Sequence, residues 1–442
     1  MLTNNANKGI LSRREIVAYG FGDVSASLVW NAVSAFALMF YTDVALLPAA
    51  AIGTLFFISR IVDAAFDVGI GLTVDRTRSR WGRARPYLLF GAIPFGLFGV
   101  LTFYVPDLGT DGRFYYALVT YFILGLLLSV VTIPYSAMLP MMSNVAKDRI
   151  DLSAARSVAT SVGVIIVTAL FMPGVAYFGN GDQQHGFLVM GGIVSAIATA
   201  MLFYCFWHCQ ERVVPTETET PVTLKTDLLQ MFKNRAWNVA SGFALLNFIR
   251  FGALLSITPF FAINVLKQPW MISVLLPTLS GTLLVGAFIA RPVLNRLGLI
   301  KADTLALIGG FICYAALPFC EQSPWLFISL YVLSSLFISI TMTSIYAMAS
   351  EAVDFHQHWF GIRQEGLLAA GVSLAIKIGM AFGGAGVAYA LAWGGYDPTA
   401  VSDRATSTIA WVYYLLPLII FILQVALIRC YPSSQILTAS ER

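Results

Sequence analysis

The stretch Gly53–Val74, GTLFFISRIVDAAFDVGIGLTV, places two aspartates, Asp63 and Asp67, inside an otherwise apolar run. About 20 apolar residues cross a bilayer as a helix. Residues four apart share one helical face, so both carboxylates point the same way. Each costs roughly 2.5–3.5 kcal/mol at membrane depth, and the two repel unless a positive group lies between them. A bound cation and Arg60, one turn before Asp63, are the candidates for that group.

The rest of the chain also has the composition of a membrane protein. It is 58% hydrophobic and 11% charged, whereas soluble domains carry about 25% charged residues. Its apolar runs predict an all-α integral membrane protein with about twelve transmembrane helices, since a barrel would show short alternating segments. The longest polar break, residues 210–234, divides them six and six. We therefore expect an N-terminal bundle over 1–209, a cytoplasmic middle loop over 210–234 with a short amphipathic helix in LKTDLLQMFKN, and a C-terminal bundle over 235–442.

The basic residues predict the orientation of the chain. With the N-terminus in the cytoplasm, most of the 27 Lys and Arg residues fall on that side, and only Arg113, Lys267 and Arg404 fall outside. The positive-inside rule then places both termini in the cytoplasm. The net charge of +4 reflects this bias, so no nucleic-acid partner is expected. The five cysteines form no CxxC pair, and the histidines, His356 among them, are expected at the surface or in loops.

Ionisable residues at membrane depth mark binding sites, relays or pathways by default. Besides the paired aspartates, they are Asp23, Arg60, Arg156, Arg250 and Lys377. For each, the alternative is a structural ion pair that ties two helices together. Hard carboxylate oxygens suit Na⁺ or an exchangeable proton. We therefore expect H⁺ or Na⁺ at Asp63 and Asp67, no further metal and no cofactor.

Several motifs along the chain form one combined pattern. They are YGFGD (19–23), FYTDV (40–44), RIVDAAFD (60–67), DRTRSRWGRARPYLLFG (75–91), IPYSAMLP (133–140), EAVDFHQHWFGIRQEGL (351–367) and LAIKIGMAFGG (374–384). The pattern resembles the glycoside–pentoside–hexuronide:cation symporter family. The resemblance covers nearly the whole chain and implies the major facilitator fold of two six-helix bundles. It also implies a monomeric secondary symporter that moves a sugar with a monovalent cation across the lipid bilayer of a bacterial inner membrane.

The resemblance assigns roles by position. Asp63 and Asp67 match the carboxylates that hold the coupling cation, and Ser129 matches a cation-site threonine. Arg156 and Lys377 match a substrate-site arginine and the lysine of the eleventh span. The other expected substrate-binding residues are Tyr19, Asp23, Trp30, Thr132, Tyr135, Arg250 and Ser373. The rings of Tyr19, Trp30 and Tyr135 could stack on a sugar, although core packing is their commoner role. The expected gating residues are Asp75, Arg78, Gly82, Arg83, Glu351, Asp354, Arg363 and Glu365.

Departures from the family pattern bear on the cargo. The first-span Lys-Asp pair of the melibiose permease falls on Ala26 and Ser27, and its fourth-span sugar-binding aspartate and tryptophan fall on Thr132 and Ser136. The acids that clamp a galactoside are therefore missing. A pocket with arginine and lysine but without those acids is net positive, which favours an anionic sugar such as a hexuronide, glucuronide or sulfosugar.

Three alternatives remain open. In the first, the cations pair with Asp23 and the pocket takes a neutral pentoside or glycoside. In the second, the chain is a lipid carrier of the same superfamily, although the longer disulfide-bearing outer loops of such carriers are absent. In the third, it is a membrane-embedded enzyme, although the sequence has no metal-ligand spacing, no nucleophile–base arrangement and no phosphate loop. The cation-site asparagine of the melibiose permease falls on Phe66, which favours H⁺ over Na⁺.

Overall fold

The computed structural model describes residues 11–143, 145–213, 224–361 and 365–432. Within them, the side chains at 61, 64, 65, 68, 72, 75, 146, 147, 150, 224–228, 287, 291, 365 and 366 lie outside the description. The described residues form helices and no strand. In chain order the helices are α1 Arg13–Met39, α2 Ala49–Arg76, α3 Arg85–Thr102, α4 Gly109–Met142, α5 Ala146–Gly179, α6 Gln183–His208, α7 Leu224–Lys233, α8 Arg235–Phe260, α9 Ile272–Leu297, α10 Leu299–Ala315, α11 Pro324–Phe360, α12 Glu365–Trp393 and α13 Asp403–Ile428.

The helices are long and apolar enough for a membrane. In the described part of the chain, 11 helical stretches could cross one by length and composition. The remaining long helix is α2, which has 28 residues and a described apolar part over Ala49–Arg60. At 1.5 Å per residue α2 is about 42 Å long, more than the hydrocarbon core of about 30 Å. The prediction of an all-helical membrane protein is confirmed.

The chain divides into two compact units, Met1–Glu217 and Thr218–Arg442. The division falls inside the polar break at 210–234. The first unit contains α1 to α6, and the second contains α7 to α13. The short helix α7 lies where the sequence favoured an amphipathic helix, and Asn234, directly after it, caps α8 by accepting from the Trp237 backbone N–H at 2.9 Å.

Both units carry the same detail at the end of their first long helix. A five-residue π-helical turn follows α1 at Phe40–Val44, and another follows α8 at Phe261–Val265. Each is followed by a residue with positive φ, Leu46 at 55° and Lys267 at 54°. The repetition of such an uncommon turn at matching places indicates an internal repeat, as expected for a transporter built from two related halves.

Glycines bring the first helix of each unit close to the fifth long helix of the same unit. In the first unit, a Cβ on Gly20 of α1 would lie 3.3 Å from the Ala155 carbonyl oxygen of α5. In the second unit, a Cβ on Gly383 of α12 would lie 2.4 Å from the Ile249 carbonyl oxygen of α8. Small residues allow such close backbone contact between membrane helices. The contact between α1 and α5 brings Asp23 of α1 next to Arg156 of α5.

One histidine departs from expectation. His356 was expected at the surface or in a loop, but it lies inside α11 with 0% exposure. Its Nδ1 is 3.5 Å from Nδ2 of Asn234, which also donates to the Ala352 carbonyl at 2.9 Å. The sequence could not show this burial, since the partner lies on another helix.

Candidate functional site

The carboxylate of Asp63 lies against α4. Asp63 is 6% exposed, and a Cβ built on Gly125 would lie 2.8 Å from its Oδ1. Any larger residue at 125 would therefore occupy the space of the carboxylate. Ser129 is one helical turn beyond Gly125, so the two share one face of α4, and Ser129 is 6% exposed. This face of α4 brings a hydroxyl-bearing turn next to the Asp63 carboxylate, while Asp67 is half-buried one turn along α2.

Arg60 supplies positive charge beside this carboxylate. Its Nη1 lies 3.9 Å from Asp63 Oδ2, which is an ion pair but too long for a hydrogen bond. The guanidinium also lies 4.0 Å above the centre of the Trp30 ring, a cation–π contact. The sequence left Arg60 and a bound cation as alternatives, and the structure places Arg60 at ion-pair distance from one oxygen of Asp63. Trp30, an expected sugar-stacking residue, has one face covered by Arg60.

A second charged cluster joins α1 to α5. Asp23 of α1 is 9% exposed and accepts a hydrogen bond from Arg156 Nε at 3.1 Å. Its other carboxylate oxygen accepts from the hydroxyl of Thr160, one turn after Arg156 on the same face of α5. The Arg156 guanidinium also lies 5.2 Å from the centre of the Tyr135 ring. The ion pair that the sequence analysis named as an alternative is therefore present, and the charge of Arg156 has a counter-charge.

The two expected aromatic residues beside this cluster pack on each other. Tyr19 and Tyr135 stack with ring centres 4.5 Å apart, and Tyr135 donates from its hydroxyl to the Tyr19 carbonyl at 2.8 Å. They are 0% and 1% exposed. A Cβ on Gly22 would lie 2.4 Å from the Tyr135 ring, so the glycine makes room for the stack. In this structure the pair packs the interface of α1 and α4 and braces Arg156.

The remaining expected substrate residues lie in different environments. Thr132 is half-buried and donates to the Leu128 carbonyl at 2.9 Å. Ser373 and Lys377 are exposed one turn apart on α12. Arg250 is 1% exposed, donates to the Asn247 side-chain oxygen, and lies 4.8 Å from the centre of the Phe421 ring. Arg250 is thus enclosed within the second unit.

The loop between α2 and α3 holds three of the expected gating residues, Arg78, Gly82 and Arg83, and contacts a residue that follows α6. Glu211 accepts backbone N–H groups of Arg83, Ala84 and Arg85 at 2.7, 2.9 and 3.0 Å. The carboxylate thereby satisfies free donors at the start of α3 and complements the helix dipole. Gly82 has a φ of +110°, and a Cβ there would lie 2.5 Å from Glu211.

The residues after Glu211 also contact the start of α1 and the end of α4. Arg212 Nη2 pairs with Glu15 of α1 at 2.5 Å, and its backbone N–H donates to the Met141 carbonyl of α4 at 2.8 Å. The backbone N–H of Val213 donates to the same carbonyl at 2.8 Å. Residues 211–213 therefore bind to the first unit, although the sequence assigned them to the middle loop.

The other expected gating residues are only partly placed. Arg78 and Asp354 are exposed, and Glu351 accepts a hydrogen bond from the Tyr431 hydroxyl at 2.9 Å. Arg363 and the side chains of Asp75 and Glu365 lie outside the described residues. In the described part of the chain, no group of three or more His, Cys, Asp or Glu residues could hold a metal ion.

Sequence reasoning missed three residues of these clusters. Thr160 follows Arg156 by four residues and Gly125 precedes Ser129 by four, so the helical spacing could have flagged both. Glu211 carries no local signal, because its partner Arg83 lies 128 residues away in the chain.

Comparisons with known proteins agree with this architecture. The family described as MFS/sugar transport protein matches residues 18–435. The chain is 32% identical to the inner membrane symporter YicJ of Escherichia coli K12, over 96% of this chain and 92% of that protein. It is 30% identical to the isoprimeverose transporter of Lactiplantibacillus pentosus, over 94% and 88%. It is 33% identical to the glucuronide carrier protein homolog of E. coli K12, over 87% and 85%.

A solved structure extends the likeness to the fold. A bacterial homolog of the human lysosomal transporter Spinster, inward-facing and unoccupied, superposes with a TM-score of 0.71 at 13% identity, over 98% of both chains. At this identity the likeness concerns the fold alone.

Proposed function

Since the chain belongs to the MFS/sugar transport family, we propose that it is a proton-coupled symporter of a neutral glycoside or pentoside, with its cation site at Asp63 and Asp67. The ion pair between Asp23 and Arg156 is the observation that carries the choice of a neutral cargo.

Family membership by itself establishes a membrane transporter. The resemblance read from the sequence is confirmed, and so are the major facilitator fold and the prediction of a transporter in place of an enzyme. The protein is a multi-pass membrane protein. Its position in an inner membrane with both termini in the cytoplasm is part of our proposal, supported by the distribution of Lys and Arg and by the inner membrane symporter among its relatives.

The surroundings of Asp63 support a cation site. The carboxylate is buried against Gly125, on the face of α4 that carries Ser129, and Arg60 lies 3.9 Å from one of its oxygens. A proton needs a single carboxylate oxygen, whereas a metal cation needs several oxygen ligands. Phe66, between the two aspartates in sequence, contributes none. These features favour H⁺ as the coupling ion.

The charges near the expected sugar site support a neutral cargo. Arg156 is neutralised by Asp23, and Arg250 is enclosed with Asn247 and Phe421. An anionic sugar would have to compete with Asp23 for Arg156, at the cost of leaving a buried carboxylate without its counter-charge. Among the relatives, the isoprimeverose transporter is named for a cargo that fits a neutral glycoside. The glucuronide carrier homolog keeps the anionic alternative in the test.

Uptake into proteoliposomes tests both parts. Wild type, Asp63→Asn and Asp67→Asn are compared under imposed H⁺ or Na⁺ gradients, with the exposed loop variant Asp397→Asn as the matched control. We expect an H⁺ gradient to drive uptake by wild type and the control, and neither site variant to respond. Gradient-driven uptake that survives both substitutions would overturn the cation site, and a response to Na⁺ alone would overturn H⁺.

A substrate panel then tests the cargo. Phenyl glucoside, phenyl xyloside and phenyl glucuronide share one aglycone and differ in the sugar. We expect saturable uptake of a neutral member and none of the glucuronide. Preference for the glucuronide, lost in Arg156→Ala, would restore the anionic alternative.

A further inference from the structure

A carboxyl group lies deep in the second unit, outside the sites described above. Asp303 is in the second turn of α10 and is 0% exposed. Neither of its carboxylate oxygens has a hydrogen-bond partner among the described residues. None of the ion pairs found among those residues includes it. An ionised carboxylate in such a place would lose its hydration without any compensating contact.

The described side chains around Asp303 do not hydrogen-bond to its carboxylate or pair with its charge. The hydroxyl of Ser344 on α11 lies beside Asp303, but it donates its hydrogen to the Thr341 carbonyl at 2.9 Å. An apolar cluster of Ala290, Ala306 and Ile340 brings α9, α10 and α11 together, and Ala306 lies one turn after Asp303 on the same helical face. What Ser344 still offers is the lone pairs of its oxygen, which accept a hydrogen bond but do not donate one.

A buried cation in the same unit is engaged elsewhere. Arg250 of α8 donates to the Asn247 side-chain oxygen and lies over the Phe421 ring. Asn247 donates in turn to the Thr341 hydroxyl at 3.2 Å. Arg250 and Asp303 do not form an ion pair.

The α10 helix and the helices packed against it carry other titratable groups in the described part of the chain. They are Lys301, Cys313 and Tyr314 on α10, Arg296 on α9, Tyr331, Tyr346, Glu351, Asp354, His356 and His358 on α11, and Asp403, Arg404, Tyr413 and Tyr414 on α13. None of them forms a hydrogen bond or ion pair with Asp303. The side chain of Arg291 on α9 lies outside the described residues.

We propose that Asp303 is a proton-binding site of the second unit, separate from Asp63 and Asp67. In this conformation its carboxyl group is protonated and therefore neutral. A neutral carboxylic acid needs no counter-ion, and it costs less to bury than the ionised form does. The carboxyl group of Asp303 releases its proton when α10 and α11 separate far enough for water to reach it.

Infrared spectroscopy of the purified full-length protein in lipid tests the proposal directly. Wild type at neutral pH should show the carbonyl stretch of a protonated carboxyl group. The band should lose the contribution of one carboxyl group in Asp303→Asn and be unchanged in Asp354→Asn, which removes an exposed aspartate of α11. If the band is the same in Asp303→Asn as in wild type, the proposal is overturned.

Thermal unfolding supplies a second readout. Since the ionised acid is the form that burial disfavours, wild type should lose melting temperature as the pH rises, while Asp303→Asn, fixed in a neutral form, should lose less. Equal losses would contradict the proposal. So would an Asp303→Asn variant that does not fold at any pH, because the amide is the nearest uncharged mimic of the acid. Neither readout depends on transport, so failure of the proposed cargo or cation site would leave this inference standing.

Discussion

The two units deal differently with charge at membrane depth. In the first, Asp23 is paired with Arg156 and Asp63 lies at ion-pair distance from Arg60. In the second, Arg250 and Asp303 are buried without forming an ion pair with each other or with another described residue. The two acids of the first unit therefore have a counter-charge in this conformation, whereas the enclosed arginine and the enclosed acid of the second unit have none among the described residues. This difference is consistent with our proposals of a cation site in the first unit and a conformation-dependent proton site in the second.

Removing one arginine from each unit, Arg156 or Arg250, should give the largest difference in stability between the two units. Arg156→Met leaves Asp23 without its counter-charge and should cost roughly 2 kcal/mol, less than the 3–5 kcal/mol of a fully buried pair because Arg156 is partly accessible. Arg250→Met leaves no orphaned acid and should change the stability by less than about 1 kcal/mol. Melting temperatures of the two variants in one detergent decide the matter. Equal losses would remove the distinction between the units.

Crowding the Asp63 carboxylate should weaken the cation site without removing either aspartate. The Cβ of Gly125→Ala would lie 2.8 Å from Asp63 Oδ1, so the carboxylate must move. We expect the H⁺ dependence of uptake to shift by about one pH unit, equivalent to about 1.4 kcal/mol. The control is Gly192→Ala on α6, where a Cβ meets nothing within 4 Å. An unchanged H⁺ dependence in Gly125→Ala would place the site elsewhere.

The contact of Glu211 with the start of α3 should make a smaller contribution to the stability of the first unit. Glu211→Ala removes three acceptor contacts at the start of α3 and should cost about 1–2 kcal/mol. Gly82→Ala should cost a similar amount, since it combines a strained φ with a clash against Glu211. Gly109→Ala, at a φ of +65° with nothing within 4 Å, reports the strain alone. If the melting temperatures of Gly82→Ala and Gly109→Ala fall equally, the clash with Glu211 adds nothing to the cost of the backbone strain.

The smallest effect should come from the hydrogen bond that supports the Asp23 pair. Thr160→Val keeps the shape but removes one donor to the carboxylate, which should cost about 1 kcal/mol. Thr406→Val is the matched control, since the Thr406 hydroxyl is exposed and donates only to its own helix at the Ser402 carbonyl. The difference in melting temperature between the two variants measures the contribution of Thr160. A difference of zero would mean that Arg156 alone holds Asp23.

Much of the fold could be predicted from local signals. Apolar runs of helical length predicted the long helices, and the two compact units meet in sequence inside the polar break at 210–234. The spacing of Asp63 and Asp67 predicted a shared face, and the motifs around them predicted the family. These properties depend on a few neighbouring residues, which is why the sequence alone reveals them.

The partners of the charges could not be predicted in the same way. Whether Arg156 faces a ligand or Asp23 depends on how α1 approaches α5, and Gly20 decides that approach from another helix. Asp303 looks like an ordinary polar residue beside a loop until α9 and α11 are packed against it. Tyr19 and Tyr135 are equally plausible as sugar platforms and as core residues until their stack is seen.

The short segment at 211–213 has a practical consequence for engineering. An affinity tag, a fluorescent reporter or a protease site in the middle loop is best inserted after Val213. An insertion between His208 and Glu211 would displace residues 211–213 from their contacts with the ends of α1, α3 and α4. A split version of the transporter, made as two polypeptides, should keep Glu211 and Arg212 on the first fragment for the same reason. The useful cutting point therefore lies several residues beyond the last turn of α6.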